Sequence, residues 1–491
     1  MSGARDISAN ILTTSASLKD AMVRLDQGIG GVIFCVDAAG RMVGMLTDGD
    51  IRRALLSGAP MDDAIERLMN HKFTSATSAQ SHTDHVKLLS STIRHIPVLD
   101  DAGRPVDMVS WAELWRMPMT EPSLGGNEMK YVVDCIDTVW ISSQGGYIDK
   151  FQDAFTDFLG GGSAHCTSSG TTALQLALAA LDIGAGDEVI VPDITFGATA
   201  NVVIHVGATP VFIDIDPQTW AMDVDAFAAA VTPKTKAVIP VHLYGHPCDM
   251  DPIMEIARAN DIKVIEDCAE ALGAEYKGRK VGLIGDVGCF SFFANKVITT
   301  GEGGMTTTND PDLHARMGLL RDHGMDKNRR YWHLEPGFNF RMTNLQAALG
   351  LAQMERIEDF LTQRDAVVEC YDAKLKDIEG IRIPPRAEWA RNIHWLYSIE
   401  VDAAGAGISR DKLAAQLGEV GIDTRPVFPP LHLQPAFGSG PEGAFPVAEA
   451  FGKTGLSLPT ANGLSVGDAT RVADQLIKII EDERALKAHR E

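Results

Sequence analysis

A lysine in an apolar setting, followed by a glycine-rich turn, is the strongest chemical signal in this sequence. Lys296 ends the largely apolar and aromatic segment Ser291–Lys296, and Thr299–Gly304 follows shortly after it. An amine among apolar side chains loses solvation, which lowers its pKa as a Schiff-base lysine requires. The glycines allow the backbone to pass close to a bound group. Taken alone, the pattern is as typical of a surface loop, so its meaning depends on the segments that accompany it.

Two other segments supply a candidate phosphate site and a candidate acid. Thr167–Leu174 places a glycine and several hydroxyl groups at the start of a helix predicted over Thr171–Leu181. Free amides and the helix dipole favour a phosphate there, although an ordinary helix cap is the alternative. Val264–Asp267 is a predicted strand that ends in acidic residues. A carboxylate at that end can keep a pyridinium nitrogen protonated, and a solvated loop acid is the alternative.

The elements that must position these residues alternate between short apolar strands and helices. From about residue 128 onward, strands are predicted at Glu188–Val191, Val211–Asp214, Ala237–Val241 and Lys263–Glu266, with helices such as Pro252–Ala259 between them. This alternation predicts an α/β fold, a mostly parallel sheet with helices on both faces. From about residue 366 the chain mixes helices with strands such as Trp395–Val401, which predicts a second, smaller domain.

The first 120 residues repeat one pattern of helix, strand, turn, strand and helix. In the first half, a helix over Leu18–Gln27 precedes strands at about 31–36 and 42–46, and Thr47–Asp50 begins the next helix. In the second half, a helix at about 84–93 precedes strands Ile96–Leu99 and Val106–Val109, and the last helix begins at Ser110. A repeat of this kind predicts two units that stack and bury one sheet face each.

Composition and charge exclude several classes of protein. The formal net charge is −22 with no basic run, which argues against a nucleic-acid partner because phosphate binding needs clustered Lys and Arg. The seven cysteines are scattered without metal-ligand spacing, so we expect reduced thiols and no metal. The N-terminus lacks the pattern of a signal peptide, and the apolar stretches end before about 18 residues. We therefore expect a cytoplasmic protein that does not bind a membrane.

From about residue 122 to 491, five ordered segments resemble the DegT–StrS group of sugar-nucleotide aminotransferases. The segments are Ser169–Thr171, Pro192–Phe196, Glu266–Glu270, Ser291–Lys296 and Gly337–Asn344. The resemblance implies a fold-type-I transferase that uses pyridoxal 5′-phosphate (PLP). It also implies a large PLP-binding domain over residues 121–365 and a small C-terminal domain over residues 366–491.

The resemblance assigns roles to the residues around the cofactor ring. Lys296 would hold PLP as a Schiff base and carry the proton between the α carbon of the amino donor and the cofactor. Asp267 would pair with the pyridine nitrogen, and Phe196 would stack on the ring. Glu270 occupies a cofactor-contacting position where many members of the family carry His or Gln.

The phosphate of the cofactor would be held from two subunits. Gly170, Thr171 and Ser291 would form the cradle within one chain. Asn339 would reach the phosphate of the neighbouring subunit's cofactor, which implies a homodimer or a higher homo-oligomer.

Within that family, three segments look most similar to perosamine synthases, which aminate carbon 4 of GDP-4-keto-6-deoxymannose with glutamate as donor. They are Ala269–Ala274, Ser291–Phe293 and Met325–Trp332. The resemblance implies a glutamate-dependent aminotransferase acting on a nucleotide-linked 4-keto-6-deoxy sugar for surface polysaccharide such as the O-antigen of lipopolysaccharide. Family members with a His in place of the lysine are dehydratases, so Lys296 favours amino transfer. A 3-keto sugar as substrate, or a nucleotide-sensing protein with an idle aminotransferase half, are the alternatives.

Four residues are candidates for contact with the sugar nucleotide. Arg329, Arg330 and Arg341 could meet the nucleotide diphosphate, and His432 could form a wall near the sugar. A solvated surface position is the alternative reading for each of them.

The N-terminal repeat, over residues 7–118 of a domain placed at 1–120, resembles a pair of CBS (cystathionine-β-synthase-type) domains. Gly44–Asp50 and His95–Val98 carry this resemblance. In that family a Thr and an Asp three residues later hold the phosphate and ribose of an adenine nucleotide, roles that would fall to Thr47 and Asp50. The second half departs from the pattern, with Ser110 at the Thr position and Glu113 at the Asp position. A purely structural or dimerising module is the alternative to a regulatory nucleotide site.

Overall fold

The computed structural model divides the chain into two compact units, Met1–Arg116 and Met117–Glu491. Within them it describes residues 7–28, 31–80, 85, 88–89, 93–110, 117–438 and 440–488. The division falls slightly before the predicted boundary at residue 120, because Met117 is already paired with the second unit. Its amide donates to the Gly421 carbonyl at 2.8 Å, and its carbonyl accepts from the Asp423 amide at 2.9 Å.

The first unit contains two small sheets of the same topology. In each, the first strand is parallel and the third antiparallel to the central strand. The strands are β1 Ile11–Thr13, β2 Val32–Val36, β3 Met42–Thr47, β4 Ala76–Thr77, β5 His95–Leu99 and β6 Pro105–Ser110, and the helices are α1 Leu18–Gln27 and α2 Asp48–Leu56. The repeat read from the sequence is therefore present in the strands. The helix predicted at about 84–93 lies largely outside the described residues, and so does the helix predicted after Ser110.

The sheet of the first half is covered on both faces, which explains why all of β2 is apolar and buried. Ile33 packs with Leu18 and Ile51 on one face, while Phe34 packs with Met108 on the other. Since Met108 belongs to β6, the second sheet supplies part of the core of the first. The two halves of the first unit therefore pack against each other, as the sequence repeat predicts.

The second unit is organised around a seven-stranded sheet within its described residues, in the order β7-β15-β14-β11-β10-β8-β9. All neighbours are parallel except β15, which is antiparallel to both β14 and β7. The strands in chain order are β7 Ser163–Thr167, β8 Glu188–Pro192, β9 Thr209–Ile213, β10 Thr235–Val238, β11 Lys263–Asp267, β12 Glu275–Tyr276, β13 Arg279–Lys280, β14 Val287–Ser291 and β15 Gly304–Thr308. Strands β12 and β13 belong to a separate small sheet. The predicted α/β class with a mostly parallel sheet is confirmed.

Helices cover both faces of this sheet. The helices of this part of the chain are α3 Glu128–Asp137, α4 Gly146–Leu159, α5 Gly170–Ala180, α6 Ala198–His205, α7 Val224–Ala230, α8 Met250–Ala259, α9 Pro311–Arg321, α10 Asn344–Met354 and α11 Ile357–Leu375. Successive strand residues enter opposite cores: Ile190 and Val264 lie in one, and Val189 and Ile265 in the other. This alternation is the period of two expected of a strand buried on both faces.

The C-terminal part of the second unit carries a smaller antiparallel sheet in the order β16-β18-β20-β19. Its elements in chain order are β16 Ile381–Arg382, β17 Ala390–Arg391, β18 Tyr397–Val401, α12 Ala403–Ala406, α13 Arg410–Glu419, β19 Arg425–Pro426, α14 Pro446–Thr454, β20 Gly455–Leu458 and α15 Val466–Ala488; β17 pairs with β12 instead. The predicted boundary at residue 365 falls inside α11, which continues without a break. Among the described helices, none is long and apolar enough to cross a membrane.

Four phenylalanine rings form the centre of one core. Phe155 contacts the rings of Phe151, Phe290 and Phe292 at centroid distances of 6.2, 4.9 and 5.6 Å. Phe292 lies in the segment that leads to Lys296. This cluster therefore links helix α4 to β14 and to the turn after it, which carries the candidate lysine.

We predict that Phe155→Ala lowers the free energy of unfolding of the second unit by about 3–5 kcal/mol, the usual cost of removing a buried aromatic ring. Denaturant unfolding monitored by tryptophan fluorescence measures the change. Phe158→Ala, on the same helix but only half-buried, is the matched control and should cost less than half as much. Equal losses for the two variants would contradict the role given to the phenylalanine cluster.

Candidate active site

A cavity of about 450 Å³ lies where several strands of the large sheet end at the same edge. β11 ends at Asp267 and β14 at Ser291, and the antiparallel β15 begins there with Gly304. Ligand sites of open α/β sheets occur at the carboxyl ends of parallel strands. Seven residues predicted from the sequence line this cavity: Gly170, Thr171, Phe196, Asp267, Glu270, Ser291 and Lys296.

Lys296 is held between an aromatic ring and a carboxylate. Its Nζ lies 3.6 Å from the centre of the Trp395 ring and 3.9 Å from Glu270 Oε1. Only 13% of its side chain is exposed. Burial lowers the pKa of Lys296, while the nearby carboxylates of Glu270 and Asp267 oppose that shift. The indole N–H of Trp395 donates to the Asn295 carbonyl at 2.9 Å, which fixes the ring against the lysine.

Asp267 is a buried carboxylate whose described hydrogen-bond donors are both neutral. The Thr199 hydroxyl donates to Oδ2 at 2.8 Å, and the Ala269 amide donates to Oδ1 at 3.1 Å. Burial raises the pKa of Asp267, and these two hydrogen bonds and the Lys296 charge only partly offset it. A cationic N–H facing this carboxylate would restore the ionised form.

Thr199 is a site residue that our sequence reasoning missed. It lies in the first turn of α6, three residues after Phe196, and it is buried. The available signal was a hydroxyl in the first turn of the helix that follows β8, a position close to the edge where the strands end. Only the tertiary structure shows that this hydroxyl reaches Asp267 at the end of β11, two strands away in the sheet.

Glu270 is fixed by a backbone amide. The Tyr244 N–H donates to Glu270 Oε2 at 2.8 Å, which leaves Oε1 facing Lys296. Burial raises the pKa of Glu270 to about 7, against the pull of the Lys296 charge and the Tyr244 amide. The Tyr244 hydroxyl in turn accepts from the Phe428 amide at 2.8 Å. The position that the sequence comparison with the family marked as often His or Gln is therefore a buried carboxyl group that faces the lysine.

The start of α5 forms a cradle suited to an anion. Ser169 caps the helix, accepting from the Thr172 amide at 3.1 Å, while the Thr172 hydroxyl accepts from the Ser169 amide at 3.0 Å. The amides of Gly170 and Thr171 have no partner within the helix, as is general for a first turn. A side chain at Gly170 would place its Cβ 2.7 Å from that of Ser291, so glycine is needed for this close approach.

Asn339 and Arg341 do not line this cavity but bind each other. Asn339 Oδ1 accepts from Arg341 Nη2 at 3.1 Å, and Arg341 Nη1 lies 2.9 Å from Asp322 Oδ1. The backbone of this segment pairs with the end of β7 through a bridge between Arg341 and Thr167. The next amide, that of Ser168, donates to the Phe340 carbonyl at 2.8 Å. The predicted role of Asn339 concerns a neighbouring subunit and stays a prediction.

Arg329 and Arg330 lie in an exposed loop and face aromatic rings. The Arg329 guanidinium is 3.7 Å from the centre of the Trp332 ring, and that of Arg330 is 5.0 Å from the Tyr331 ring. Neither arginine lines the cavity of its own chain. Their predicted contact with a diphosphate stays a prediction.

His432 is buried in a polar cross-link and is not among the described residues that line the cavity. Its amide and its Nδ1 both bond Asp193, at 2.8 and 2.6 Å, and its Nε2 lies 3.3 Å from Glu449 Oε1. The structure therefore does not place His432 as a wall of the cavity, because both ring nitrogens face carboxylates of its own chain. It ties the C-terminal loop to the end of β8.

Three buried side chains outside the cavity lie close enough together to be considered as metal ligands. His242, Glu266 and Cys268 are buried within 4.8 Å of one another. The Glu266 carboxylate accepts from three backbone amides, those of Gly282, Ile284 and Gly285. The Cys248 amide donates to His242 Nδ1 at 3.0 Å, so Nε2 carries the proton and faces Glu266. With these atoms engaged, the group serves as a cross-link beneath β11.

In the first unit, Thr47 and Asp50 lie at the junction of β3 and α2, where the sequence placed them. They form a reciprocal helix cap: the Thr47 amide donates to Asp50 Oδ2 at 2.9 Å, and the Asp50 amide donates to Thr47 Oγ1 at 3.4 Å. The Thr47 hydroxyl also donates to Asp50 Oδ2 at 2.7 Å. Arg53 Nη2 donates to the other carboxylate oxygen at 2.6 Å. Their nucleotide-binding role stays a prediction, and Glu113, its counterpart in the second half, lies outside the described residues.

The residues of the cavity fit pyridoxal phosphate. The amine of Lys296 suits its aldehyde, and the buried Asp267 carboxylate suits a protonated pyridine nitrogen. The free amides at the start of α5, beside Ser291, suit its phosphate. With the mostly parallel sheet and the smaller C-terminal domain, this site defines a PLP-dependent transferase of fold type I.

Comparison with known proteins gives the family. Residues 122–477 match the DegT/DnrJ/EryC1/StrS aminotransferase family, and residues 4–57 match the CBS domain. GDP-perosamine synthase of Caulobacter vibrioides is 50% identical over 371 residues, 75% of this chain and 100% of that protein. GDP-perosamine synthase of Escherichia coli O157:H7 is 42% identical over 367 residues, 75% of this chain and 99% of that protein.

Solved structures agree with this assignment. The PLP form of the sugar aminotransferase Spr1654 from Streptococcus pneumoniae superposes with a TM-score of 0.71 at 31% identity, over 75% of this chain and all of that chain. The chain belongs to the DegT/DnrJ/EryC1/StrS aminotransferase family and is a PLP-dependent sugar aminotransferase with a CBS domain at its N-terminus. The family resemblance noted in the sequence is confirmed.

We predict that Thr199→Val raises the dissociation constant for PLP roughly tenfold at neutral pH, because a hydrogen bond to a charged group contributes about 1.5–3 kcal/mol. Without the hydroxyl the pKa of Asp267 rises further, so the carboxyl takes up a proton at a higher pH. The defect should therefore grow as the pH falls and shrink as it rises. Titration of the apoprotein with PLP, followed by cofactor absorbance between pH 6 and 9, measures this.

Thr199→Ser keeps the donor and is the matched control, with an affinity near that of the natural chain. A pH-independent loss in Thr199→Val would indicate a packing defect and contradict the electrostatic role.

Proposed function

We propose that this chain transfers the amino group of glutamate to carbon 4 of a nucleotide-linked 4-keto-6-deoxy sugar, the reaction class of the GDP-perosamine synthases it is similar to. The observation that carries the proposal is the meeting of Lys296, Asp267 and Glu270 in one cavity. The 50% identity with a GDP-perosamine synthase favours GDP as the nucleotide and carbon 4 as the reacting atom. The product would supply surface polysaccharide, including O-antigen.

One group of cavity residues would hold the cofactor, and Lys296 would transfer the proton. PLP, when bound, supplies an electrophilic aldehyde and a ring that accepts electrons from the carbon losing its proton. Asp267 would hold a proton on the pyridine nitrogen, which would keep the ring electron-poor. The amides of Gly170 and Thr171 and the hydroxyl of Ser291 would hold the phosphate.

Lys296 moves the proton. Because burial lowers its pKa, its Nζ can be a neutral amine that removes the proton from the α carbon of glutamate. In the second half of the reaction the same atom returns a proton to carbon 4 of the sugar. Glu270, 3.9 Å away, stabilises the charged form of the lysine between these steps.

A homodimer completes the proposed enzyme. The ring of Phe196 is 62% exposed although it would stack on the cofactor, so a second subunit is expected to cover this mouth of the cavity. On α3 and the turn after it, Met129, Ile136 and Trp140 are also exposed apolar residues. In such a dimer Asn339 would reach the phosphate of the other cofactor, and Arg329 and Arg330 would meet the diphosphate in the other cavity. Arg341 would do so only by exchanging its partner Asp322 for the diphosphate. The free, mostly buried cysteine thiols favour the reducing cytoplasm as its location.

We expect the purified protein with PLP and glutamate to release 2-oxoglutarate when given the GDP-linked 4-keto-6-deoxymannose, with product mass identifying the amino sugar. Lys296→Ala should lose turnover and the absorbance of covalently bound cofactor, while Lys277→Ala, an exposed lysine on the same unit, should keep both. Release of 2-oxoglutarate only with a UDP- or dTDP-linked sugar would show that the substrate carries that nucleotide instead of GDP. Release only with a 3-keto sugar would favour the alternative position, and cofactor binding without release on any member of the panel would favour an idle aminotransferase half.

We also propose that the first unit binds an adenine nucleotide at Thr47 and Asp50 and thereby regulates the second. The position of the segment Met117–Thr120, which follows the first unit in the chain, favours this regulation. Met119 and Thr120 line the cofactor cavity, and the Thr460 amide donates to the Met119 carbonyl at 3.1 Å. A ligand-dependent displacement of the chain that enters this segment would therefore alter a wall of the active site.

The expected result is that ATP or AMP binds the full-length protein and changes its aminotransferase rate, whereas Asp50→Asn weakens nucleotide binding and removes the rate change. Asp48→Asn is the matched control, because Asp48 begins the same helix but pairs with the exposed Arg52. Equilibrium binding and the coupled 2-oxoglutarate assay supply the two readouts. A nucleotide that binds without changing the rate would leave the module structural or dimerising.

A further inference from the structure

The cavity is lined by more acidic than basic side chains, although its proposed substrates are anions. Three carboxylates line it, on Asp267, Glu270 and Glu302, against two cations, on Lys296 and Arg425. The proposed substrates are themselves anionic, because glutamate carries two carboxylates and a sugar nucleotide carries a diphosphate. Since the Lys296 amine is committed to the cofactor, its charge is not available to hold a substrate. Arg425 is the cation that remains.

Arg425 has a guanidinium that its own chain leaves unused. In the part of the chain that the structure describes, no hydrogen bond, ion pair or ring contact engages its side chain, which is exposed. The arginines predicted from the sequence are different, since Arg341 pairs with Asp322 while Arg329 and Arg330 face aromatic rings. A planar guanidinium presents two parallel N–H groups, the geometry that matches a carboxylate or a phosphate.

The backbone that carries Arg425 is firmly held. Arg425 pairs with Ser457 in the small sheet, and two residues earlier the Asp423 carboxylate accepts from the Met119 amide at 3.3 Å. Shortly after it, Phe428 packs against Tyr244 and Phe196, with ring centroids 5.3 and 5.9 Å apart. The flexible side chain therefore starts from a fixed point on the cavity wall, which lowers the entropy cost of binding.

We propose that Arg425 is a substrate-binding residue that holds an oxyanion, either a carboxylate of the amino donor or the diphosphate of the sugar nucleotide. This inference rests on the proposed function for the identity of these two anions. The shared chemistry is a bidentate, charge-assisted pair between the guanidinium and two oxygens. The residue is missed by sequence reasoning because it stands in an unremarkable segment, Asp423–Phe428, with no basic neighbour.

The test uses the PLP-loaded protein and two unreactive probes. Glutarate resembles glutamate without the amino group, and GDP resembles the sugar nucleotide without the keto sugar. We expect Arg425→Gln to weaken calorimetric binding of at least one probe about tenfold or more, as loss of a charge-assisted pair of about 1.4 kcal/mol or more would do. Arg425→Lys keeps the charge but loses the pair of parallel N–H groups. Its affinity for the same probe should lie between those of the natural chain and Arg425→Gln.

The pattern of the losses identifies the anion. Weaker glutarate binding with a raised KM for glutamate assigns Arg425 to the amino donor, and weaker GDP binding with a raised KM for the sugar nucleotide assigns it to the diphosphate. Arg258→Gln, on helix α8 away from the cavity, is the matched control and should bind both probes normally. Unchanged cofactor absorbance verifies folding, and Arg425→Lys carries the test if the Gln variant does not fold.

Binding of both probes unchanged in Arg425→Gln would overturn this assignment. That outcome is separate from failure of the proposed function, which would appear as a lack of turnover by the natural chain on every nucleotide sugar. A chain that turns over no 4-keto sugar, yet loses probe binding on Arg425→Gln, would keep the anion site and change only its substrate.

Discussion

The burial of an amine beside two carboxylates is the constraint on which the rest of this structure depends. Lys296, Asp267 and Glu270 are all taken out of water, where isolated charges are costly and each group shifts its pKa toward the neutral form. The protein offsets this cost with a few fixed donors, the Thr199 hydroxyl and the Ala269 and Tyr244 amides. The remaining imbalance is what makes the site receptive to a cofactor that brings its own aldehyde, cationic ring nitrogen and phosphate.

The large sheet places these groups together because its strand ends share one edge. Asp267 and Ser291 end adjacent parallel strands, and Gly304 begins the antiparallel β15 at the same edge. The aromatic cluster around Phe155 and Phe292 then packs beneath the turn that carries the lysine. Stability and chemistry are coupled there, since the core that holds the sheet also holds the orientation of Lys296.

The joining segment Met117–Thr120, which follows the first unit, both pairs with the second unit and lines its cavity. Met117 and Met119 are bonded into the second unit, and Met119 and Thr120 form part of the cavity wall. The Met119 amide of this segment also donates to the carboxylate of Asp423, two residues before Arg425. The first unit is therefore joined through the backbone to a segment that lines the cavity.

The sequence by itself determined the class of the protein and identified seven of the residues that line the cavity. Lys296, Asp267 and the glycine-rich helix start are local patterns, and the alternation of strands and helices requires a parallel sheet that brings strand ends to one edge. The tertiary structure decided what depends on partners distant in the chain. It showed that Thr199 holds Asp267, that His432 is a cross-link between Asp193 and Glu449, and that Arg425 is the spare cation of the cavity. Such pairings depend on how separate elements pack, and no local spacing records them.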